Sequence, residues 1–400
     1  MPGFEVFGKE EEQEIQDVLK TGVLFRYEFA AERQGVYKVR TFEEKFAAFC
    51  GASFAQAVTS GTAALKVALA ALGVGPGDEV ITQAFTFVAT WEAILEVGAT
   101  PVFAEVDATM NMDPANLETK ISANTRCIIP VHMLGAQARI EEIVAIAQKY
   151  GIPVLEDTAQ SAGGRYKGQH LGTFGACGTF SFDSVKTMTT GEGGMIITND
   201  GELWRGMSEY HDHGHDHQAN PGGRGGEKRR FVGSNYRMME IQGAIGLAQL
   251  AKLDSVIIAG QKKNKAAFKE AAAVLPGVQF REIIDQDGDS ATHLCFFLDS
   301  VEHCQRVNEV LAANGCAATY FGANSWHYYP RWEHLLDGKT ISREGWPLTA
   351  RGKRRFVYDP AALPQSAGFI ERCLGFQIPV RMSDERLGQM RAALQQAARA

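Results

Sequence analysis

The chain has 400 residues, of which 45% are hydrophobic and 22% charged, with a formal charge of −7. That length and apolar content suit two or three domains with a large core, and the acidic balance argues against a polyanionic partner such as nucleic acid. No run approaches the roughly 18 apolar residues of a membrane span, so no membrane partner is expected.

In chain order, residues 9–20 read as an opening helix and Gly22–Tyr27 as an irregular arm. From Thr41 to Thr198, short apolar runs alternate with helical periods. The runs are Glu79–Thr82, Thr100–Glu105, Cys127–Pro130, Ile152–Leu155, Thr179–Phe182 and Met195–Thr198. Such alternation predicts an α/β fold, a mostly parallel central sheet flanked by helices. Gly75-Pro-Gly-Asp78 is a turn between the first of these helices and its strand.

Residues 205–232 interrupt the pattern with His211-Asp-His-Gly-His-Asp-His217, then Asn220-Pro-Gly-Gly-Arg-Gly-Gly226 and Lys228-Arg-Arg230. A long loop without its own periodicity is more often functional than idle. A long helix over about 237–273 then bridges to a smaller C-terminal α+β part. There Gln279–Asp299 read as strands, Val301–Asn314 as a helix with Cys304, Val307 and Leu311 on one face, and Ser383–Ala398 as a closing helix. The expected domains are therefore a large one over residues 1–250, arm included, and a small one over 251–400. The acidic N-terminus lacks the basic-then-apolar order of a signal peptide. The seven cysteines are an odd number without a CxxC pair and read as reduced thiols, so a cytoplasmic enzyme is expected.

Three segments carry chemistry. In Gly178–Gly194 a strand runs into a polar, Gly-rich loop with Lys186 at its apex, and a second apolar strand follows. An amine desolvated between two core strands is a nucleophile towards aldehydes, which a Schiff-base lysine needs. Read alone, Lys186 is equally a surface lysine of a hairpin loop. In Val154–Gln160, Asp157 lies just beyond the carboxyl end of a buried strand, where ligands gather in open α/β sheets. A carboxylate there can hold the protonated pyridine nitrogen of pyridoxal phosphate, or simply cap the next turn. In Ala57–Leu69 a strand turns through Ser60-Gly61-Thr62 into a helix whose free N–H groups and dipole suit a phosphate.

Phosphate cradle, ring-nitrogen acid and lysine occur in that order. With Ser60–Leu65, Thr86-Phe-Val88, Pro130–Met133, Glu156–Gln160, Ser181–Lys186, Gly191–Gly194 and Gly233–Arg237, the chain resembles the DegT/DnrJ/EryC1/StrS sugar aminotransferases, pyridoxal-phosphate enzymes of fold type I. The resemblance covers nearly the whole chain. It implies that Lys186 forms the Schiff base and shuttles the proton, that Asp157 pairs with the ring nitrogen and that Gln160 faces the ring's phenolate oxygen. It also implies that Phe87 stacks on the ring and that Gly61, Thr62 and Ser181 contact the phosphate. Asn235 would reach the phosphate of a neighbouring subunit, in a homodimer with shared sites. The implied reaction moves an amino group from glutamate or glutamine to a keto- or aldehydo-sugar. A dehydratase on the same fold would carry histidine in place of Lys186, and a non-catalytic regulatory protein would not need Lys186, Asp157 and Gln160.

Within the family, Tyr210–His217, Arg281–Ser290 and Asn324–His334 resemble the branch that aminates the 8-oxo form of 3-deoxy-D-manno-octulosonate, a lipopolysaccharide sugar. Arg229, Arg230, His213 and His215 are then expected to meet its carboxylate, and Trp326 and His327 to line the sugar's path. His132 is expected as a pocket wall, or else as a satisfied core histidine. The alternative acceptor is a nucleotide-linked 3- or 4-keto-hexose. The alternating histidines could chelate a metal, but Gly214 at their centre and the lack of a nearby cysteine favour a polar loop, and no resident metal is expected. The aromatic stretch Tyr320–His334 suits a carbohydrate pocket as well as a packing surface.

Overall fold

Each apolar run of the first half becomes a strand because its residues are shielded on both faces by helices. The computed structural model describes residues 2–217, 229–350 and 353–399; the expectations for Asn220–Gly226 and Lys228 lie outside the described residues. In chain order the large unit contains α1 (Lys9–Thr21), α2 (Lys38–Cys50), β1 (Phe54–Val58), α3 (Gly61–Ala71), β2 (Glu79–Gln83), α4 (Ala89–Glu96) and β3 (Thr100–Ala104). It continues with β4 (Thr125–Ile128), α5 (Ile140–Tyr150), β5 (Leu155–Asp157), β6 (Cys177–Ser181), β7 (Gly194–Thr198) and α6 (Gly201–Tyr210). The strands lie in the order β3-β2-β4-β5-β6-β7-β1, with parallel bridges Ile128↔Val154 and Val131↔Asp157 joining β4 to β5. Only β7 runs against its neighbours in this sheet. All the parallel strands therefore end on one edge, where Ser60-Gly61, Thr86-Phe87, Asp157 and the Lys186 loop converge.

Some boundaries differ from the sequence reading. Ile152 is still engaged in closing α5, its N–H on Ala147 O at 3.0 Å, so the strand starts at Leu155 and Asp157 is its last residue. The bridging helix α7 (Glu240–Ala272) starts three residues late because Asn235 and Arg237 are in β-bridges with Asp212 and Val58. It is the one helix among the described residues with the length and composition to cross a membrane, and 56% of its apolar window is buried inside the protein. Between Gln279 and Asp299 only β8 (Gln279–Phe280) and β9 (His293–Phe297) are strands. The Asp285 carboxylate accepts from Asp287 N and Gly288 N, both at 3.1 Å, and folds the intervening segment into turns.

α8 (Val301–Ala313), β10 (Thr319–Tyr320), β11 (Cys373–Gln377) and α9 (Asp384–Ala397) complete the small unit, an antiparallel sheet in the order β8-β9-β11-β10. Phe268, Phe296, Cys304, Val307, Leu311, Phe376, Met390 and Leu394 form its own core. The segment between these strands packs elsewhere: Tyr329, Trp332, Leu335 and Leu363 cluster with Val88, Trp91 and Phe103 of the large unit. All seven cysteines are buried and free.

Candidate active site

The Lys186 loop is shaped by Asp183. Its Oδ1 accepts from Val185 N at 2.7 Å and its carbonyl from Lys186 N at 3.2 Å, an Asx turn that lifts Lys186 over the sheet edge. The lysine side chain is only 13% exposed; Nζ lies 3.7 Å from Asp183 Oδ2 and 5.6 Å from the centre of the Phe87 ring. One cavity is lined by Lys186 together with Ser60, Gly61, Thr62, Asp157 and Ser181, and Phe87 and Gln160 also face it.

The cradle is narrow for a reason. Ser60 caps α3, its Oγ accepting from Ala63 N at 3.0 Å. A Cβ on Gly61 would lie 2.6 Å from Ser181 Cβ, and one on Gly194 would lie 2.2 Å from Ser60 O. Glycine at both positions lets the N-terminus of α3 settle on β6 and β7 with its N–H groups facing the cavity. Asp157 is buried at the other end. Its Oδ1 accepts from Ala159 N at 3.1 Å and its Oδ2 from Thr90 Oγ1 at 2.8 Å. Burial raises its pKa against these two hydrogen bonds, and no cation lies within ion-pair distance among the described residues. A buried carboxylate without a counter-ion, across a cavity from a helix N-terminus, fits a protonated ring nitrogen at one end of a ligand and a phosphate at the other.

Gln160 is fixed by the loop beside it. Leu134 adopts φ 53°, a left-handed pose costly for a branched side chain, and turns its N–H onto Gln160 Oε1 at 3.0 Å. Buried Arg281 secures this loop by donating to Met133 O at 2.8 Å and to Asn111 Oδ1 at 3.2 Å. From the other side comes the aromatic segment. Val88 N donates to Trp326 O at 3.0 Å, Thr86 N to His327 O at 2.9 Å and Tyr329 N to Ala84 O at 3.0 Å, a ladder that extends β2. Trp326 lies parallel to Phe87 with ring centres 5.6 Å apart, and His327 reaches Gln160. Burial, then the nearby Lys186, push the His327 imidazole down to about 4. Burial pushes His293, which lines the outer part of the cavity, down to about 3, with His327, Lys265 and Arg281 adding to the effect.

Other expected site residues lie apart from this cavity. His132 is fully buried in the core: Nδ1 accepts from Ala138 N at 3.1 Å, and Nε2 faces Glu156 Oε2 at 3.0 Å. It is the satisfied core histidine of the two readings, not a pocket wall, because both ring nitrogens are taken by core partners and it does not line the cavity. The histidine run folds back on the arm. His217 stacks on Tyr27 at 3.6 Å, with Nε2 on Asp212 Oδ2 at 2.8 Å, and His211 Nε2 meets Tyr27 Oη at 3.1 Å. His215 packs against His217, while His213 is exposed and its carbonyl accepts from Arg229 Nε at 3.0 Å. Arg230 pairs with Glu209 at 2.8 Å. Among the described residues no group of three or more His, Cys, Asp or Glu side chains is placed to hold a metal ion. Asn235 is exposed and faces none of this chain's cavity; its Oδ1 accepts from Arg237 N at 3.2 Å. Thr90 and His293 do line the cavity and were missed, since a lone Thr or His carries no spacing signal in sequence; Asp183 and Asn324, which also line it, lay inside stretches the sequence singled out without an assigned role of their own.

Comparison with known proteins gives the family. The sequence model of the DegT/DnrJ/EryC1/StrS aminotransferase family matches residues 6–344. The chain belongs to this family. Its members are pyridoxal-phosphate-dependent sugar aminotransferases, and this protein is one of them. It is 34% identical over 388 residues to the spore coat polysaccharide biosynthesis protein SpsC of Bacillus subtilis, covering 95% of this chain and 92% of that one. A GDP-perosamine synthase of Caulobacter vibrioides is 42% identical over 226 residues, 55% of this chain and 58% of that protein. The crystal structure of a 3-amino-5-hydroxybenzoic acid synthase superposes with a TM-score of 0.81 at 29% identity, covering 98% of this chain and 97% of that one.

Proposed function

We propose that this family member transfers an amino group from glutamate or glutamine to the aldehyde of the 8-oxo form of 3-deoxy-D-manno-octulosonate. Bound pyridoxal phosphate supplies the amine carrier and the electron sink. The chain's own residues do the rest. Asp157 keeps the ring nitrogen protonated, the α3 N-terminus and Ser181 take the phosphate, and Phe87 and Gln160 hold the ring. Lys186 Nζ, the only lysine amine lining the cavity among the described residues, attaches the cofactor and moves the proton at the carbon that gains or loses its amine.

The observation that carries an acid acceptor is the charge around His293. Lys186, Lys265 and Arg281 bear on it from the catalytic cavity and from an adjoining cavity lined by Lys262, Lys265, Lys269 and Arg281. A sugar acid presenting its aldehyde to Lys186 has its carboxylate several carbons away; Lys265 is paired with Asp289 and Arg281 is held by Thr109 O and Met133 O, so Lys262 and Lys269 are the cations of this region left to meet it. Arg229 and Arg230, expected for that role from sequence, lie with Asn235 and the histidine run on a surface that faces a second subunit in the shared-site homodimer we infer. Mixing Lys186→Ala chains with Asn235-disrupted chains should then restore activity. We place the enzyme in the cytoplasm. The second reading, a nucleotide-linked 3- or 4-keto-hexose, is favoured by the similarity to GDP-perosamine synthases. Single-turnover oxidation of the pyridoxamine form by the 8-oxo acid sugar, against a panel of nucleotide-linked keto-sugars, separates them. Fast reaction only with a nucleotide sugar would overturn the octulosonate assignment.

A further inference from the structure

We propose that Asn324 and His327 are positioning residues that fix the amide of Gln160 and leave one of its N–H groups free to donate into the catalytic cavity. The inference rests on the cofactor reading of that cavity and follows from hydrogen-bond polarity. Asn324 Oδ1 accepts from the backbone N–H of Trp326 at 2.9 Å, which identifies that atom as the oxygen. His327 Nδ1 lies 3.1 Å from the same oxygen and must therefore carry the ring proton. Its Nε2 is left as a bare acceptor.

Gln160 is fixed independently. Its Oε1 accepts from Leu134 N at 3.0 Å, so the atom 3.4 Å from His327 Nε2 is the amide nitrogen, a donor only. The chain of donors thus runs from Gln160 to His327 to Asn324 without a conflict. It tolerates one protonation state of the imidazole, because an imidazolium would set N–H against N–H. Burial and Lys186, which hold His327 neutral down to about pH 4, meet that condition. Gln160 Nε2 has two hydrogens. One is taken by His327, and the other is left for an acceptor on a ligand sharing the cavity with Lys186 and Asp157. The segment carrying Asn324 and His327 is itself registered on residues 84–88 by three backbone hydrogen bonds of 2.9–3.0 Å, so the imidazole has a defined place from which to act.

The test reads the bound cofactor, not turnover. Holoenzyme variants Gln160→Leu, His327→Phe and Asn324→Leu are titrated with pH, following the cofactor's near-ultraviolet and visible absorbance. All three should move the midpoint in the same direction, by about one pH unit for Gln160→Leu and His327→Phe, a tenfold change in the protonation constant. The double variant Gln160→Leu/His327→Phe should move it no further than Gln160→Leu alone, because His327 acts through Gln160. A purely structural role for His327 would change stability or cofactor occupancy and leave the midpoint in place. Wild-type midpoints in both His327→Phe and Asn324→Leu, with Gln160→Leu shifted, would overturn the proposal. A wild-type midpoint in Gln160→Leu itself would overturn it too. The titration uses no sugar, so the acceptor assignment can fail while this result holds.

Discussion

Replacing Gly61 by alanine tests the close approach on which the proposed cofactor cradle depends. Gly61 opens α3 at a conformation open to any residue, so on propensity alone alanine should stabilise the protein by about 0.4–1 kcal/mol, mainly by restricting the unfolded chain. Packing opposes this. The new methyl would lie 2.6 Å from Ser181 Cβ, 3.0 Å from its Oγ and 3.3 Å from its Cα, where ordinary carbon contacts are roughly 3.5–4.0 Å. The obstructing atoms belong to a buried strand residue with no flexible end to swing away. Forcing a methylene-sized group into such a site costs about 1–3 kcal/mol. The net expectation is a loss of about 1–2 kcal/mol and a fall in Tm of roughly 1–3 °C for a chain of this size. Moving α3 away from β6 also opens the cradle, so equilibrium dialysis should show weaker retention of pyridoxal phosphate. Adding Ser181→Gly should return most of the lost stability, giving a coupling of about 1–2 kcal/mol in a double-mutant cycle. A Gly61→Ala protein as stable as wild type or more so, and indifferent to Ser181→Gly, would refute the packing argument.

Lys186→Ala should fold with nearly wild-type stability, because the lysine's one ion-pair contact is a 3.7 Å approach to Asp183, and should lose turnover; thermal unfolding and amino-transfer assays check the two halves separately. Asp157→Asn should lower turnover on the order of 10²–10³-fold while leaving the cofactor-free protein as stable or slightly more stable. The Thr90 hydroxyl can turn to accept from the new amide, and the cost of a buried charge disappears. A destabilised cofactor-free variant would contradict that account. Acid should also weaken the fold. His327 titrates near 4 when folded and near 6.5 when unfolded, so its contribution is complete above pH 6.5 and is lost between about 6.5 and 4, up to roughly 3 kcal/mol. Buried Asp157, Glu43 and Glu240, with raised pKa values, act in the opposite sense as carboxylates protonate. The difference between wild type and His327→Phe in urea midpoints from pH 7 to 5 isolates the histidine; parallel pH profiles would rule it out.

The sheet and its ligand edge were legible because their signals are local. Apolar runs between turn residues gave the strands of the large unit, and cofactor chemistry needs particular residue types at the strand ends. Boundaries slipped where a neighbour competed for a backbone group, as when Ala147 held Ile152 in the helix turn or Asp212 held Asn235 in a bridge. His132 misled because a histidine after a strand looks the same in sequence whether it faces a ligand or Glu156. His293 was invisible as a site residue for the converse reason. Its place beside Lys186 and His327 is created only by the tertiary fold.

The ladder between residues 84–88 and 326–329 has an evolutionary side. Its bonds, Val88 to Trp326, Thr86 to His327 and Ala84 to Tyr329, are all main chain to main chain. Main-chain pairing is indifferent to side-chain identity, so the exposed Trp326 can be exchanged without losing the register of this segment on residues 84–88, whereas Asn324 and His327 are tied to Gln160 through their side chains. Changes at Trp326 can therefore accumulate one at a time while the backbone pairing beside Phe87 stays in place. The same division makes Trp326, rather than Asn324 or His327, the position of this segment to vary first.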